Sequence, residues 1–135
     1  MIDESCTIEE VRELFANDHF ATEACGCRVL EASCGHAVCA FDVADIHKNA
    51  QDQVMGGAIF TLADFALAIA CNIGEQPTVA VNNSIQYLST VKGSTLTAEC
   101  NVDKSGRNLG YYTVDVTDDL GTKVARMAAT CFRRS

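Results

Sequence analysis

The chain has 135 residues, of which 48% are hydrophobic and 21% are charged, so its length suits one domain around one core. Its 18 acidic residues outnumber the 10 basic ones, which gives a net charge of -8. This charge excludes the nucleic-acid binders, because they need a basic face that neutralises phosphates. One proline and nine glycines argue against a disordered or fibrous chain. We therefore expect residues 1–135 to form a single globular domain.

The first residues, Met1 to Ser5, are acidic where a secretion signal would be basic, and no apolar stretch follows them. This predicts a cytoplasmic location, in which the eight cysteines are reduced thiols that pack as small apolar side chains. The spacing of Cys25, Cys27 and Cys34 does not match a standard zinc finger. We therefore expect no metal site.

A short helix is the first predicted element. Thr7 and Glu10 form a capping-box pattern, and an apolar stripe follows at spacings of three and four residues, comprising Ile8, Val11, Leu14 and Phe15. We expect this helix to end near Asp18. From Cys25 onward apolar residues alternate, which predicts a β-hairpin with its second strand over 37–43. Residues 45–54 show no period and are predicted to form a loop.

Residues 58–71 include 12 apolar residues among 14, and Thr61 and Asp64 are the exceptions. A helix that is apolar on all sides is a buried helix, and this one is too short to span a membrane. Four alternating segments follow it, over 79–87, 96–102, 112–116 and 124–132. In the first of them we expect one face to carry Val79, Val81, Ile85 and Tyr87.

These elements predict an α+β fold in which a curved, mostly antiparallel sheet surrounds one long buried helix. The short turns after Pro77 leave no room for crossover helices, so parallel strands are not expected. One sheet of this size covers only part of the helix. We therefore expect a second copy of the chain to cover the remainder, in a homodimer or a homotetramer.

The run from Asn49 to Asp64 reads NAQDQVMGGAIFTLAD. It resembles the PaaI-type acyl-CoA thioesterases of the hotdog fold, whose signature is an Asn, a short loop, His-Gly-Gly and a helix carrying Leu-Ala-Asp. The resemblance extends from about residue 29 to residue 132 and includes the segments 84–88, 93–99 and 105–107. It implies a hotdog fold and hydrolysis of an acyl-CoA or a related acyl thioester, without a metal or an organic cofactor.

Two positions depart from the family pattern. Met55 stands where the family has His, which affects the positioning of the thioester, and Ala80 stands where some relatives have Ser or Thr near the reacting water. The departures leave open a second function, a non-catalytic protein that binds an acyl thioester or a small apolar ligand. The resemblance implies that a hotdog dehydratase would use an Asp/His pair. The helix region of this chain has no His, so this function is disfavoured.

Thioester hydrolysis needs donors for the carbonyl oxygen and a base or nucleophile. Gly56 and Gly57 start the buried helix, where free N–H groups suit an oxyanion, although glycines there also allow tight packing. Asp64 is a carboxylate in an otherwise apolar segment, which indicates either catalysis or a hydrogen bond to a neighbouring loop. The resemblance makes Asp64 the general base or nucleophile, acting on a thioester held by the partner's Gly56.

Asn49 is a third catalytic candidate, either as an amide that holds the carbonyl or the water, or as a turn residue of a polar loop. Neither His36 nor His47 has an evident carboxylate or nucleophile partner in the sequence, so we expect both to be surface or strand residues.

Coenzyme A carries phosphates, and an acidic protein must bind them with basic residues that lie near the site. Lys104 and Arg107, beside and within the turn at 105–108, are the candidates, with Arg133 and Arg134 next. The alternative for each is a solvated turn or tail.

Overall fold

The computed structural model describes residues 2–134. Its helices and strands are α1 (Ile8–Phe15), β1 (Arg28–Ser33), β2 (His36–Asp42), α2 (Gly56–Asn72), β3 (Thr78–Tyr87), β4 (Thr95–Ser105), β5 (Leu109–Asp118) and β6 (Lys123–Arg133). A π-helical turn at Phe20–Ala24 and a 3-10 turn at Asp45–His47 lie in the connections. The predicted order of a short helix, two strands, a long helix and four strands is confirmed.

Helix α1 begins at the predicted capping box. The Thr7 hydroxyl accepts a hydrogen bond from the Glu10 N–H at 3.2 Å, and the Glu10 carboxylate accepts one from the Thr7 N–H at 3.1 Å. The helix ends at Phe15, three residues earlier than expected. The N–H groups of Asn17 and Asp18 bond three residues back rather than four, so the chain tightens here before it enters the π-helical turn.

The six strands form one antiparallel sheet in the order β1-β2-β4-β5-β6-β3. Helix α2 packs across its inner face, on side chains that are fully buried, namely Phe41, Leu96, Val114 and Met127. The predicted α+β fold, a curved antiparallel sheet around one long helix, is confirmed.

Strand β3 differs from the prediction of a single apolar face. A bulge lies between Ala80 and Asn82, and it adds one residue to the strand. Val79 pairs with the outward-facing Phe132, whereas Ile85 pairs with the buried Met127. Because directly opposed residues share a face, Val79 lies on the outer face and Ile85 on the inner one. The prediction failed because the extra residue reverses the alternation.

Helix α2 is not buried on every side in one protomer, which agrees with the expectation that one sheet covers only part of it. Gly57 and Asp64 are exposed, and Phe60, Thr61 and Ala68 are only partly buried. These positions recur every three or four residues, so they form one uncovered stripe along the helix. Among residues 2–134, no helix is long and apolar enough to cross a membrane.

Six of the eight cysteines are buried, and all eight are free thiols. Burial raises the pKa of both Cys27 and Cys100 to about 12, so these thiols stay neutral. Cys34, in the turn between β1 and β2, is exposed. The prediction that the cysteines pack as small apolar side chains is confirmed for the six buried ones.

Candidate active site at helix α2

The start of α2 has backbone donors that the rest of the chain leaves unpaired. Met55 is the N-cap, and its carbonyl accepts hydrogen bonds from the N–H groups of Ala58 (3.1 Å) and Ile59 (3.3 Å), but its side chain does not cap the helix. The N–H groups of Gly56 and Gly57 find no acceptor within residues 2–134. Together with the positive end of the helix dipole, they form a place for a developing negative charge.

The two glycines have different surroundings. A Cβ on Gly56 would lie 3.1 Å from Cζ of Tyr87, so a side chain there would have to displace the tyrosine ring slightly. A Cβ on Gly57 would meet only Cε of Met55, at 3.2 Å, which is the end of a flexible side chain. The space above Gly57 is therefore open to a ligand.

Asp64 lies on the uncovered stripe of α2, two turns beyond Gly57. It lines a cavity of about 370 Å³ whose walls include Asp18, Phe60 and Phe65. The carboxylate reaches solvent in one protomer, yet the cavity walls partly desolvate it. This desolvation raises the pKa of Asp64, and the negative charge of Asp18 raises it further. The loop hydrogen bond considered for Asp64 is not among its interactions with residues 2–134.

A second cavity, of about 430 Å³, opens on the other side of Phe20 and Thr61, which line both. Its walls include Met55 and Gly57, so it begins at the unpaired donors of the helix start. Met55 is 44% exposed, and its terminal methyl lies beside Gly57 where the family has an imidazole. Two of the predicted site residues, Met55 and Gly57, are thus brought together.

Ala80 lies on the inner face of β3, opposite Cys131. Ala80 does not line the cavity that contains Asp64, although the negative charge of Asp64 acts on the pKa of the neighbouring Cys131 thiol. Ala80 is exposed, in keeping with its place on the free edge of the sheet.

Asn49 is exposed and organises its own loop. Its side-chain oxygen accepts hydrogen bonds from the N–H groups of Gln51 (2.9 Å) and Gln53 (3.2 Å). It lines neither of the two cavities. These contacts agree with the turn-forming alternative, and Nδ2 makes no hydrogen bond within residues 2–134.

The prediction for the two histidines, that both are surface or strand residues, holds for one of them only. His36 lies in β2 as expected, with its Nε2 2.9 Å from a carboxylate oxygen of Glu99 on the neighbouring strand. His47 is buried, at 3% exposure, so the expectation of a surface or strand residue was wrong for it. Its ring stacks on Phe41 with centroids 3.9 Å apart, a contact that sequence spacing does not reveal.

Both ring nitrogens of His47 are used. Its Nδ1 accepts a hydrogen bond from the Ala44 N–H at 2.9 Å, which makes Nε2 the donor to the carbonyl of Cys25 at 2.7 Å. The His47 carbonyl also accepts the Met55 N–H at 2.9 Å. His47 therefore joins the π-helical turn to the loop that leads into α2.

Lys104 and Arg107 are exposed at the turn between β4 and β5, near the C-terminal end of α2. Gly56 lies at the opposite end of that helix, so one protomer does not bring these cations to the helix start. Arg133 is buried, and its guanidinium donates to the Gly106 carbonyl at 2.6 Å and lies 3.1 Å from a Glu75 oxygen. It binds its own protein and is not free for a phosphate.

Asp18 and Phe20 line the cavities although the sequence did not single them out. They precede and begin the π-helical turn, which has no recognisable sequence pattern. Within residues 2–134, no three His, Cys, Asp or Glu side chains cluster in a way that would hold a metal ion.

Comparison with known proteins agrees with the fold and the motif. Residues 52–125 match the model of the thioesterase superfamily. The acyl-coenzyme A thioesterase PaaI of Escherichia coli K12 is 30% identical over 118 residues, which cover 87% of this chain and 84% of PaaI.

Solved structures are similar over nearly the whole chain. The E. coli PaaI structure superposes with a TM-score of 0.82 at 25% identity and covers 96% of this chain and 97% of its own. A hypothetical thioesterase protein from Streptococcus pneumoniae TIGR4, solved with coenzyme A, gives a TM-score of 0.80 at 26% identity and covers 90% of this chain and 99% of its own. The resemblance read from the sequence is confirmed: this chain belongs to the thioesterase superfamily, as a PaaI-type member with the hotdog fold.

Proposed function

We propose that this protein hydrolyses an acyl-CoA, or a related acyl thioester, to a free acid and a thiol. The observation that carries the proposal is that the start of α2 has unpaired N–H groups, at Gly56 and Gly57, and that the uncovered stripe of the same helix carries a carboxylate without a partner among residues 2–134, at Asp64. Donors for the carbonyl oxygen and a base are the two groups that this reaction needs. Membership of the thioesterase superfamily supports the same reaction.

In this mechanism the N–H of Gly57 donates to the thioester oxygen. Asp64, as general base, takes a proton from a water whose oxygen bonds to the carbonyl carbon. The negative charge that develops on the carbonyl oxygen is stabilised by the helix start. When the C–S bond breaks, the thiolate leaves and is protonated, which regenerates the ionised Asp64. Attack by the carboxylate itself, followed by hydrolysis of the anhydride, is the nucleophilic alternative.

The active site is proposed to be shared between two protomers. Seven residues separate Gly57 from Asp64, which places their backbones about 10 Å apart along the helix. The free N–H groups at a helix start point away from the helix, so a carbonyl held there lies still farther from Asp64 of the same helix, out of reach of one bridging water. Asp64 of one protomer therefore acts with Gly57 of the partner subunit, in a homodimer or homotetramer. The uncovered stripe of α2 and the exposed edge strand β3 support this assembly.

The remaining contacts follow from this arrangement. Met55 supplies shape beside the thioester, Ala80 leaves room for water near Asp64, and the Asn49 amide nitrogen donates to the substrate. Lys104 and Arg107 meet phosphates of coenzyme A only where two protomers adjoin. We also propose a cytoplasmic location, which eight free thiols support.

The test is the release of free thiol from a panel of acyl-CoAs, followed with a thiol reagent. Turnover by the wild type that is lost in Asp64→Asn supports the proposal. Binding of acyl-CoA without any thiol release would instead identify the non-catalytic ligand-binding protein, the second function that Met55 and Ala80 leave open.

A further inference from the structure

The second cavity, bounded by Phe20, Ile46 and Met55 at its rim, has no assigned occupant. These three side chains come from separate elements, and they are exposed by 69%, 67% and 44%. Exposed large apolar side chains gathered around one opening are characteristic of a ligand site. The cavity measures about 430 Å³, within the usual range for small-molecule pockets.

The polar side chains of this cavity are already satisfied within the protein. Both nitrogens of His47 are hydrogen-bonded. Thr61 donates its hydroxyl to the Gly57 carbonyl at 2.8 Å. Burial raises the pKa of Cys25, so its thiol stays neutral. The walls therefore offer no charge to a ligand, and their free side-chain donors are limited to the weak S–H group of Cys25.

Among the described lining residues, one backbone donor is unpaired, the N–H of Gly57 at the mouth. A matching ligand is apolar along its length and has a hydrogen-bond acceptor at one end. The cavity that contains Asp64 is different, because it also includes Asp18 and His19. An apolar group is thus favoured in the second cavity, and the water and the base are favoured in the first.

We propose that the second cavity holds the acyl chain of the thioester and that it selects uncharged, unsubstituted apolar acyl groups over hydroxylated ones. This inference rests on the proposed function, because the Gly57 N–H that holds the carbonyl is also the mouth of the cavity. A hydroxyl carried inside would lose its hydrogen bonds to water and find only the weak S–H donor of Cys25 on the walls. Such an unpaired group disfavours binding by about 10- to 100-fold.

The first experiment compares octanoyl-CoA with 8-hydroxyoctanoyl-CoA as substrates of the wild type. We expect kcat/KM to be at least tenfold higher for octanoyl-CoA. We also expect kcat/KM to rise from acetyl- to octanoyl-CoA, because each buried methylene contributes about a fourfold gain. Equal values for the two octanoyl esters would overturn the proposal, as would a preference for acetyl-CoA.

The second experiment locates the chain with two matched substitutions. Ala24 lines the second cavity and Ala68 lines the cavity of Asp64, and both are partly buried. Ala24→Leu should lower the octanoyl-to-acetyl ratio of kcat/KM by tenfold or more, and Ala68→Leu should change that ratio by less than twofold. The reverse result would place the chain in the other cavity. Circular dichroism checks that both variants fold.

Ile46→Ser removes rim apolar surface from an exposed position, and it should lower the same ratio without affecting the fold. If the wild type releases no thiol from any ester, the proposed function fails, and the cavity is tested separately by calorimetry. Tighter binding of octanoyl-CoA than of acetyl- or 8-hydroxyoctanoyl-CoA, weakened by Ala24→Leu, would then support the cavity assignment. Equal affinities for all three would refute it.

Discussion

The hydroxyl of Tyr87 donates a hydrogen bond to the carbonyl of Gly56 at 3.0 Å, and this contact joins the end of β3 to the first turn of α2. The ring of Tyr87 also occupies the space that a side chain at Gly56 would need. The edge strand therefore fixes the position of the helix start, where the proposed oxyanion donors lie.

Gly56→Ala should lower both the melting temperature and turnover, because the new methyl group would lie 3.1 Å from the tyrosine ring and displace it. Tyr87→Leu makes room, so the cost of Gly56→Ala should shrink in that background, with a coupling of about 0.5–3 kcal/mol. Thermal unfolding of the wild type, the two single variants and the double variant measures this coupling. Gly57→Ala is the control, and its melting temperature should not fall, because its methyl meets only the flexible end of Met55. Additive losses of stability in the double variant would contradict the contact between position 56 and the Tyr87 ring.

Asp64→Asn should reduce thioester hydrolysis by about 100- to 10,000-fold, with fold, oligomeric state and ligand affinity retained. The amide keeps the shape of the carboxylate but does not accept a proton at neutral pH. Turnover and thermal unfolding are measured on one preparation. If Asp64 were structural, the melting temperature would fall and turnover would survive in the folded fraction. Wild-type turnover in the folded variant would exclude the catalytic role.

The pH dependence of kcat/KM should reflect the raised pKa of Asp64. A general base works ionised, so activity should fall on acidification at a pH above the range of an ordinary aspartate. Asp18→Asn removes a negative charge that favours the protonated form, which lowers the pKa of Asp64 and moves the acidic limb to lower pH. Glu23→Gln, which changes the net charge equally but lies outside the cavity, should leave the limb in place. A limb unmoved by Asp18→Asn would exclude this interaction.

Met55→His should raise turnover or leave it unchanged. Methionine supplies shape beside Gly57 without a hydrogen bond, and an imidazole there adds at most one, of about 0.5–1.5 kcal/mol. Steady-state kinetics on one acyl-CoA measures the change. A large loss of activity would show that Met55 belongs to a pocket built differently from that of the family.

Val81→Lys should convert the proposed dimer to a monomer of 14.5 kDa and abolish turnover. Val81 is 58% exposed on the edge strand β3, and a lysine on an edge opposes strand pairing between copies. Leu30→Lys makes the same change on the other edge strand, β1, and should leave the assembly intact. Sedimentation velocity distinguishes the species. A wild-type chain that sediments as a stable monomer at micromolar concentration would exclude the shared site.

The sequence was sufficient to predict the helices and strands that are marked by patterns among nearby residues. Thr7 and Glu10 located the start of α1, and the apolar run after Gly57 located α2. The alternation of Leu96, Ala98 and Cys100 was confirmed as a buried face. These features depend on residues a few positions apart, so a pattern along the chain records them.

Features that depend on distant contacts were not predictable. His47 is buried because Phe41 stacks on its ring and the carbonyl of Cys25, 22 residues away, accepts a hydrogen bond from its Nε2. The bulge after Ala80 reverses one end of β3 without any glycine or proline to mark it. Both Asp64 and Gly57 were identified, but the stripe that exposes them depends on where the sheet stops covering the helix.

The burial of the thiols determines how fast this protein's own cysteines react with the thiol reagent of the turnover assay. Six cysteines are enclosed, and burial raises the pKa of Cys27 and Cys100 to about 12, which suppresses the reactive thiolate. The exposed Cys34 is the residue that a thiol-specific dye meets first. Cys34→Ser removes this exposed thiol, and once the half-buried Cys6 has reacted, labelling of the six enclosed thiols measures the opening of the core.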